Sequence, residues 1–327
     1  MSTYLITGGA GFIGSHLAQA LTAQGHKVRV LDNLSSGSLR NLQAARRGPG
    51  EFSFVEGDIR DPQACREAVE GVDYVLHQAA KSRVQCSLDD PLLTHEVNAT
   101  GSLNLLWAAK GAGVKRVVAA SSSSIYGDVE PMTAAKTEDL PPNPMSPYAV
   151  SKVAQDLLGL QYHLTHKLDV VRVRPFNHIG PRQRIGFVAP DFASQVAKVE
   201  AGLQPPVMEV GNLEARRDFS DVRDVVRAYH LLVMQGKAGE VYNVGSGESH
   251  AVQDILDTLL SMTDVEIEVR QDPKRMRPSD VPEVVCDATR IRQDTGWQPT
   301  ISFEQSLADV LNFWRQEIKK QAEGQTE

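Results

Sequence analysis

One stretch near the start constrains the whole chain: Gly8-Gly9-Ala10-Gly11-Phe12-Ile13-Gly14. The apolar run Tyr4-Leu5-Ile6 precedes it, and Ser15-His16-Leu17-Ala18-Gln19-Ala20-Leu21 follows with a helical pattern. Strand, glycine turn and helix in that order open a dinucleotide-binding βαβ unit. Gly8 permits the tight turn, Gly11 lets backbone N–H groups approach a pyrophosphate, and Gly14 lets the helix pack closely on the strand. The helix N-terminus adds donors and a partial positive charge. The spacing is Gly-x-x-Gly-x-x-Gly rather than the commoner Gly-x-Gly-x-x-Gly. Phe12 and Ile13, inside the loop, join the three glycines in the expected cofactor set.

Further apolar runs at 28–31, 52–55, 74–76, 117–119 and 170–173 alternate with longer helical patterns. That alternation predicts an α/β fold. We expect a Rossmann-type doubly wound parallel sheet over residues 1–175, carrying the dinucleotide site and the catalytic residues. Asp61-Pro62 supplies an N-cap and a first-turn proline, so a helix should start there. After Arg174, the prolines at 175, 181, 190, 205 and 206 break the regularity. Helical patterns at 192–201, 222–234, 252–261 and 303–318 mix with strand patterns at 240–244 and 266–270. These predict a smaller, partly discontinuous α/β substrate lobe over 176–318, some of whose segments return to the first domain. Residues 319–327 read as a frayed polar tail.

Charge narrows the function. Lys and Arg number 34 against 41 Asp and Glu, a net charge of −7. An acidic chain argues against nucleic acid as partner. No apolar run approaches the roughly 18 residues of a membrane span, so no membrane partner is expected. The N-terminus shows neither a basic segment nor a long apolar one, so no secretory signal is read. The three cysteines, Cys65, Cys86 and Cys286, are far apart. They fit a reduced cytoplasmic protein with no metal site.

Asp32 ends the second strand, eighteen residues past Gly14. An acid there accepts from the adenosine ribose 2′-hydroxyl and repels a 2′-phosphate, which favours NAD over NADP. The competing reading is a solvated turn acid. Asp58 and Ile59 follow the third strand, where Asp58 is either an adenine contact or a loop acid. His77, Ala79 and Ala80 end the fourth strand and are expected to line the nicotinamide pocket, with Lys81 next.

Tyr148 and Lys152 stand four apart on a helical pattern and so share a face. A phenol with a pKa near 10 is a poor base at neutral pH. A nearby ammonium favours the phenolate, and a lowered pKa makes an effective acid/base. Ser121-Ser122-Ser123-Ser124-Ile125-Tyr126-Gly127 follows the fifth strand, where open α/β sheets bind ligands. A hydroxyl there can hold the substrate oxygen, though the run alone does not single out one serine.

Together these residues resemble the extended short-chain dehydrogenase/reductases that act on nucleotide sugars, over nearly the whole chain. The resemblance implies Tyr148 as acid/base, with Lys152 on the nicotinamide ribose lowering the tyrosine's pKa. Ser122 matches the third catalytic position, with Ser123 and Ser124 assisting at the substrate. It also implies substrate contacts from Asn177, a diphosphate ligand in Arg217, a phosphate clamp in Arg277 and a ribose ligand in Asp280. Guanidinium groups suit phosphate oxygens, so a local site lets an acidic protein hold an anionic substrate.

The branches of the family leave different marks. The loop at 8–21, Asp32-Asn33-Leu34 and the run 122–127 resemble UDP-hexose 4-epimerases. Ala80-Lys81-Ser82, the stretch 175–180, the stretch 211–219 and the stretch 275–282 resemble GDP-4-keto-6-deoxymannose reductases. The 4,6-dehydratases carry an acid where Ser124 stands, and a hydroxyl does not replace a carboxylate base. Dehydration is therefore not expected. The resemblance implies NAD-dependent 4-epimerisation of a UDP- or GDP-hexose, with transient oxidation at carbon 4. The alternatives are a GDP-4-keto-6-deoxyhexose reductase using NADH or NADPH and a non-catalytic dinucleotide-binding regulator. It also implies a homodimer through two long helices, with 91–110 and 148–166 as candidates.

Overall fold

The computed structural model describes residues 1–128, 135–275 and 281–324. Its six N-terminal apolar runs form β1 (Thr3–Thr7), β2 (Lys27–Asp32), β3 (Phe52–Glu56), β4 (Tyr74–His77), β5 (Arg116–Ala120) and β6 (Val170–Pro175). A seventh strand, Val241–Val244, joins them, and every pairing is parallel. The order across the sheet is Val241–Val244, β6, β5, β4, β1, β2, β3. The order reverses at β1, which lies between β2 and β4, and this is where such sheets open a crevice for ligands.

Helices cover both faces, so the strands carry continuous apolar runs rather than alternation. Every residue of β6 is buried. On one face the helices Phe12–Ala23 and Val222–Gln235 bury Leu17, Leu21, Val225 and Tyr229 with Tyr4 and Val30 of the sheet. On the other, Leu105, Leu106 and Tyr162 from the helices Gly101–Gly111 and Pro147–His166 pack with Leu5, Val75 and Val117. Asp61 caps the helix Pro62–Val69 by accepting from the Gln63 N–H at 2.8 Å.

The second lobe has its own core of Phe192, Met208, Phe219, Leu256 and Leu311. Three strands here are β7 (Asn177–Ile179), β8 (Val207–Val210) and β9 (Arg216–Asp221). β9 pairs in parallel with β7 and antiparallel with Ser249–Ala251. The chain passes between the lobes more than once: Val222–Gln235 and Val241–Val244, both after residue 175, build the sheet layer. The last helix, Phe303–Ala322, runs beyond residue 318, where the sequence suggested a frayed tail. Its last turn carries Lys319 and Lys320, which suit the negative end of a helix.

Buried carboxylates fasten the connections. Asp156 accepts from Arg172 at 2.8 Å and from Arg174 at 3.0 Å. Asp218, fully buried, accepts from the N–H groups of Ser246, Gly247 and Cys286, tying β9 to two distant segments. Cys65 and Cys286 are buried, and all three cysteines are free thiols.

Candidate active site

A cleft of about 1120 Å³ opens at the carboxyl ends of the sheet strands and continues between the lobes. The glycine loop forms one wall. Gly8 has φ +68°, a left-handed conformation suited to glycine, and a Cβ there would stand 2.7 Å from the Ala79 nitrogen. A Cβ on Gly14 would lie 2.3 Å from the Gly8 carbonyl oxygen. Gly11 is the N-cap of Phe12–Ala23, and neither a capping side chain nor a first-turn acid satisfies that helix end. Its open N–H groups face the cleft, lined here by Gly11, Phe12, Ile13 and Gly14, and suit a diphosphate.

Asp32 is buried at the end of β2. One carboxylate oxygen accepts from the Ala10 N–H at 2.9 Å and the other from the Leu34 N–H at 2.8 Å. Burial raises its pKa, and the two amides oppose that rise. Each oxygen keeps a lone pair for a ribose hydroxyl, and the carboxylate borders the cleft. Asp58 also lines it, but Arg60 and Asn33 already hold its carboxylate at 2.8 Å. Burial pushes that group up, yet these bonds outweigh it and bring the pKa down to about 2. Ile59 lines the cleft beside it.

Ala79, Ala80 and Lys81 border the next part of the cleft. His77 does not: its ring is buried, with Nδ1 2.7 Å from Thr7 Oγ1 and Nε2 2.8 Å from Ser102 Oγ. Burial and the Lys152 charge bring its pKa down to about 3, so it is a neutral structural bridge. Strand alternation explains the difference, because His77 points into the layer where its neighbour Gln78 lines the cleft.

The catalytic candidates converge. Tyr148, Lys152, Ser122, Ser123 and Ser124 all line the cleft. Ser146 caps Pro147–His166 by accepting from the Ala149 N–H, so the helix starts where Tyr148 can face β5. Tyr148 shares a hydrogen bond with Ser122, whose Oγ also accepts from the Ser124 N–H at 3.1 Å. Lys152 donates to the Ala120 carbonyl and to Gln155 Oε1, each at 2.7 Å. Its third donor remains for a ribose hydroxyl.

The electrostatics differ from the expected direct pairing of Lys152 and Tyr148. Burial raises the Tyr148 pKa, opposed by the Ser122 bond. Burial also lowers Lys152 to about 7, despite the opposing charge of Asp156. Desolvation penalises both charged forms, and Lys152 spends two donors elsewhere. The protein alone therefore holds a neutral phenol, and activation needs further positive charge beside it.

Asn177 and Arg217 border the cleft from the second lobe. Arg217 donates to the Arg216 carbonyl at 2.7 Å. Arg277 and Asp280 lie outside the described residues, and it is Arg275 that lines the cleft near them. Asn98 had no periodic or motif signal. It is fully buried, accepts from the Lys81 N–H at 2.8 Å and donates to the Lys81 carbonyl at 3.0 Å and to Ser151 Oγ at 2.9 Å. It sits in a π-helical turn, Glu96–Thr100, a local irregularity common at functional sites. Arg182 was missed too. It takes a left-handed φ of +72° and reaches across to Ser15 Oγ, Asn41 O, His16 Nδ1 and Gln19 Oε1.

Among the described residues, no three His, Cys, Asp or Glu side chains gather as a metal site. Likewise, no described helix is long and apolar enough to cross a membrane.

The chain is similar to known proteins along nearly its whole length. The family model described as GDP-mannose 4,6 dehydratase matches residues 5–310. The GDP-6-deoxy-D-mannose reductase of Pseudomonas aeruginosa is 36% identical, over 97% of this chain and 98% of that protein. The structure of RMD from P. aeruginosa complexed with NADPH superposes with a TM-score of 0.82, at 33% identity, covering 97% of this chain and all of that one. The Thermus thermophilus UDP-glucose 4-epimerase complex with NAD superposes with a TM-score of 0.85, at 34% identity, covering 96% and 99%. A glycine cradle with an uncapped helix end, a Ser–Tyr–Lys cluster and these full-length likenesses together place the chain in the GDP-mannose 4,6-dehydratase-like group of the NAD-dependent epimerase/dehydratase family, as an NAD(P)-dependent enzyme that modifies nucleotide sugars.

Proposed function

We propose that the chain is an NAD-dependent 4-epimerase of a UDP- or GDP-linked hexose. The cofactor fits the glycine cradle, Asp32, Asp58 with Ile59, Ala79–Lys81 and Lys152, and when bound it accepts and returns a hydride at sugar carbon 4. Tyr148 holds and moves the carbon-4 hydroxyl proton, Ser122 orients that oxygen, and Lys152 supplies positive charge. Ser123 and Ser124 contact the sugar. Asn177, Arg217 and Arg275 hold the rest of the substrate, with the two guanidinium groups on its diphosphate. Arg277 and Asp280 remain proposed ligands from the adjoining segment.

The observation that carries epimerisation over reduction is the Arg182 tie. It fastens the second lobe to the helix of the dinucleotide loop through four bonds, counting His16 Nε2 to Pro181 O at 2.9 Å, and a fifth reaches the Asn41 carbonyl. A cleft fastened there suits a cofactor retained between turnovers, as an epimerase needs. A reductase must exchange its cofactor each cycle. One-way reduction of a 4-ketosugar is the second reading, favoured by the 36% identity to a reductase. The hydroxyl at 124, where a dehydratase needs an acid, speaks against dehydration.

The test uses protein purified without added cofactor. It should carry NAD(H) and interconvert nucleotide hexoses at carbon 4 with no reductant. Consumption of NADH or NADPH only with a GDP-4-keto-6-deoxyhexose, and no epimer elsewhere, would replace epimerase with reductase. The same preparation should bind NAD(H) about tenfold or more tighter than NADP(H), because a 2′-phosphate would face Asp32. Asp32→Ala should narrow that ratio, as read by titration at moderate salt. Arg40 is held by Glu317 at 3.3 Å, away from a free role at that site. Equal affinities for the parent protein would reject this assignment of Asp32.

We further infer a cytoplasmic homodimer. Val150, Leu157 and Leu164 recur every seven residues along Pro147–His166 and are exposed, as are Leu103 and Trp107 on Gly101–Gly111. An apolar stripe of this kind on two neighbouring helices suits an isologous contact. Light scattering that gives a monomer mass at micromolar concentration would reject it.

A further inference from the structure

Lys152 spends two of its N–H donors inside the protein. One goes to the Ala120 carbonyl at the end of β5 and one to Gln155 Oε1, each at 2.7 Å. Gln155 stands three residues on along Pro147–His166, so the two side chains share a face of that helix. It is 1% exposed and does not border the cleft, so it reaches the reaction only through Lys152. An ammonium only donates, which turns the amide oxygen towards it and the amide nitrogen away. That nitrogen is buried with no hydrogen-bond partner among the described residues. A side chain satisfied on one half and orphaned on the other is a poor structural bridge, because the unpaired half costs stability. Its satisfied half faces the lysine of the catalytic cluster.

Where Nζ sits decides what it offers the cleft. Ala120 O and Gln155 Oε1 take two of its tetrahedral directions and leave the third for the cleft, which Lys152 lines. A charged nitrogen places an N–H in that direction, whereas a neutral one holding the same two bonds places a lone pair there. An acceptor against the nitrogen also favours its charged form. It therefore works against the burial that brings Lys152 down to about 7. The other ionisable groups facing Lys152 are Tyr148 and Asp156 on its own helix and His77 from β4. Burial holds the Tyr148 phenol above its ordinary value and brings His77 down to about 3, so neither titrates near pH 7. Asp156 is paired with Arg172 and Arg174 of β6.

We propose that Gln155 is a positioning residue, which together with the Ala120 carbonyl seats Lys152 Nζ so that a charged N–H points at the cofactor ribose. This rests on Lys152 as the ribose donor. The test is NADH affinity, read by fluorescence between pH 6.5 and 9.5 on the full chain freed of retained cofactor. The parent is compared with Gln155→Leu, Gln155→Asn, Gln155→Glu and Lys152→Met. Affinity in the parent should fall as pH rises past about 7. Gln155→Leu removes the acceptor, and Gln155→Asn, one methylene shorter, withdraws it. Both should bind NADH about tenfold or more weaker at pH 6.5, the scale of a charged hydrogen bond, and their fall should begin at lower pH. Gln155→Glu returns an acceptor at the same reach. Its affinity at pH 6.5 should stay close to the parent's, and its fall should begin at higher pH. Parental affinity and pH dependence in Gln155→Leu and Gln155→Asn overturn the proposal. So does equal weakening in all three Gln155 variants with no movement along the pH axis, or loss of far-UV circular dichroism in all three, because Gln155 would then serve the fold alone. If Lys152→Met binds NADH as the parent does, Lys152 is not the ribose donor and both readings fall. If Lys152→Met binds weakly and Gln155→Leu does not, only the part given to Gln155 falls.

Discussion

Tyr148→Phe should keep its fold and its NAD binding while turnover falls about 10²-fold or more, the scale of a removed acid/base group. Phe occupies nearly the same volume, and the lost hydroxyl leaves Ser122 still accepting from the Ser124 N–H. The structural cost is therefore small and the chemical cost large. In the protein alone, burial holds the phenol above its ordinary pKa. The group therefore needs positive charge brought beside it before it can take a proton at neutral pH. Ser122→Ala removes only the orienting bond and should cost less than Tyr148→Phe. Turnover, cofactor titration and far-UV circular dichroism on the same preparations check this. Near-parental turnover in Tyr148→Phe would remove Tyr148 from the chemistry.

The sheet and the cofactor wall are legible in the sequence because short-range physics encodes them. A tight turn with φ +68° favours glycine at position 8, and the packing of Gly14 on Gly8 leaves no room for a side chain. Parallel strands buried on both faces show as uninterrupted apolar runs, as in Val170–Pro175. Tyr148 and Lys152 are legible because four residues make slightly more than one helical turn. The remaining parts of the site depend on long-range geometry. Asn98 is an ordinary residue in a helical stretch until the fold brings it against the Lys81 backbone. Arg182 matters because its backbone turns left-handed and carries it across to Ser15 and His16. The expected charge coupling of Lys152 to Tyr148 missed the competing acceptors, Ala120 O and Gln155 Oε1. Spacing along a helix says which side chains share a face, and it does not say where their donors are spent.

Lys152→Met separates what the site does from what it costs. Turnover should again fall by about 10²-fold or more, because the variant loses the charge beside the phenol and a donor for the cofactor ribose. Stability should move differently. Burial lowers the Lys152 pKa to about 7, whereas the unfolded chain titrates near the ordinary lysine value. Between those two values the unfolded state binds more protons, so this residue makes the parent more stable as pH rises from about 7 to about 10. Below about 7 both states are protonated, and the full penalty of a buried ammonium remains. Methionine carries no such charge and has no such slope. It does leave the Ala120 carbonyl without its partner, which costs about 1–3 kcal/mol at every pH. Relative to Lys152→Met, the parent should therefore gain up to about 1.4 kcal/mol per pH unit across that window. Urea midpoints at pH 6.5, 8 and 9.5 measure the difference. A constant gap between the two proteins would mean that Lys152 is not desolvated in the folded state and keeps its ordinary pKa there.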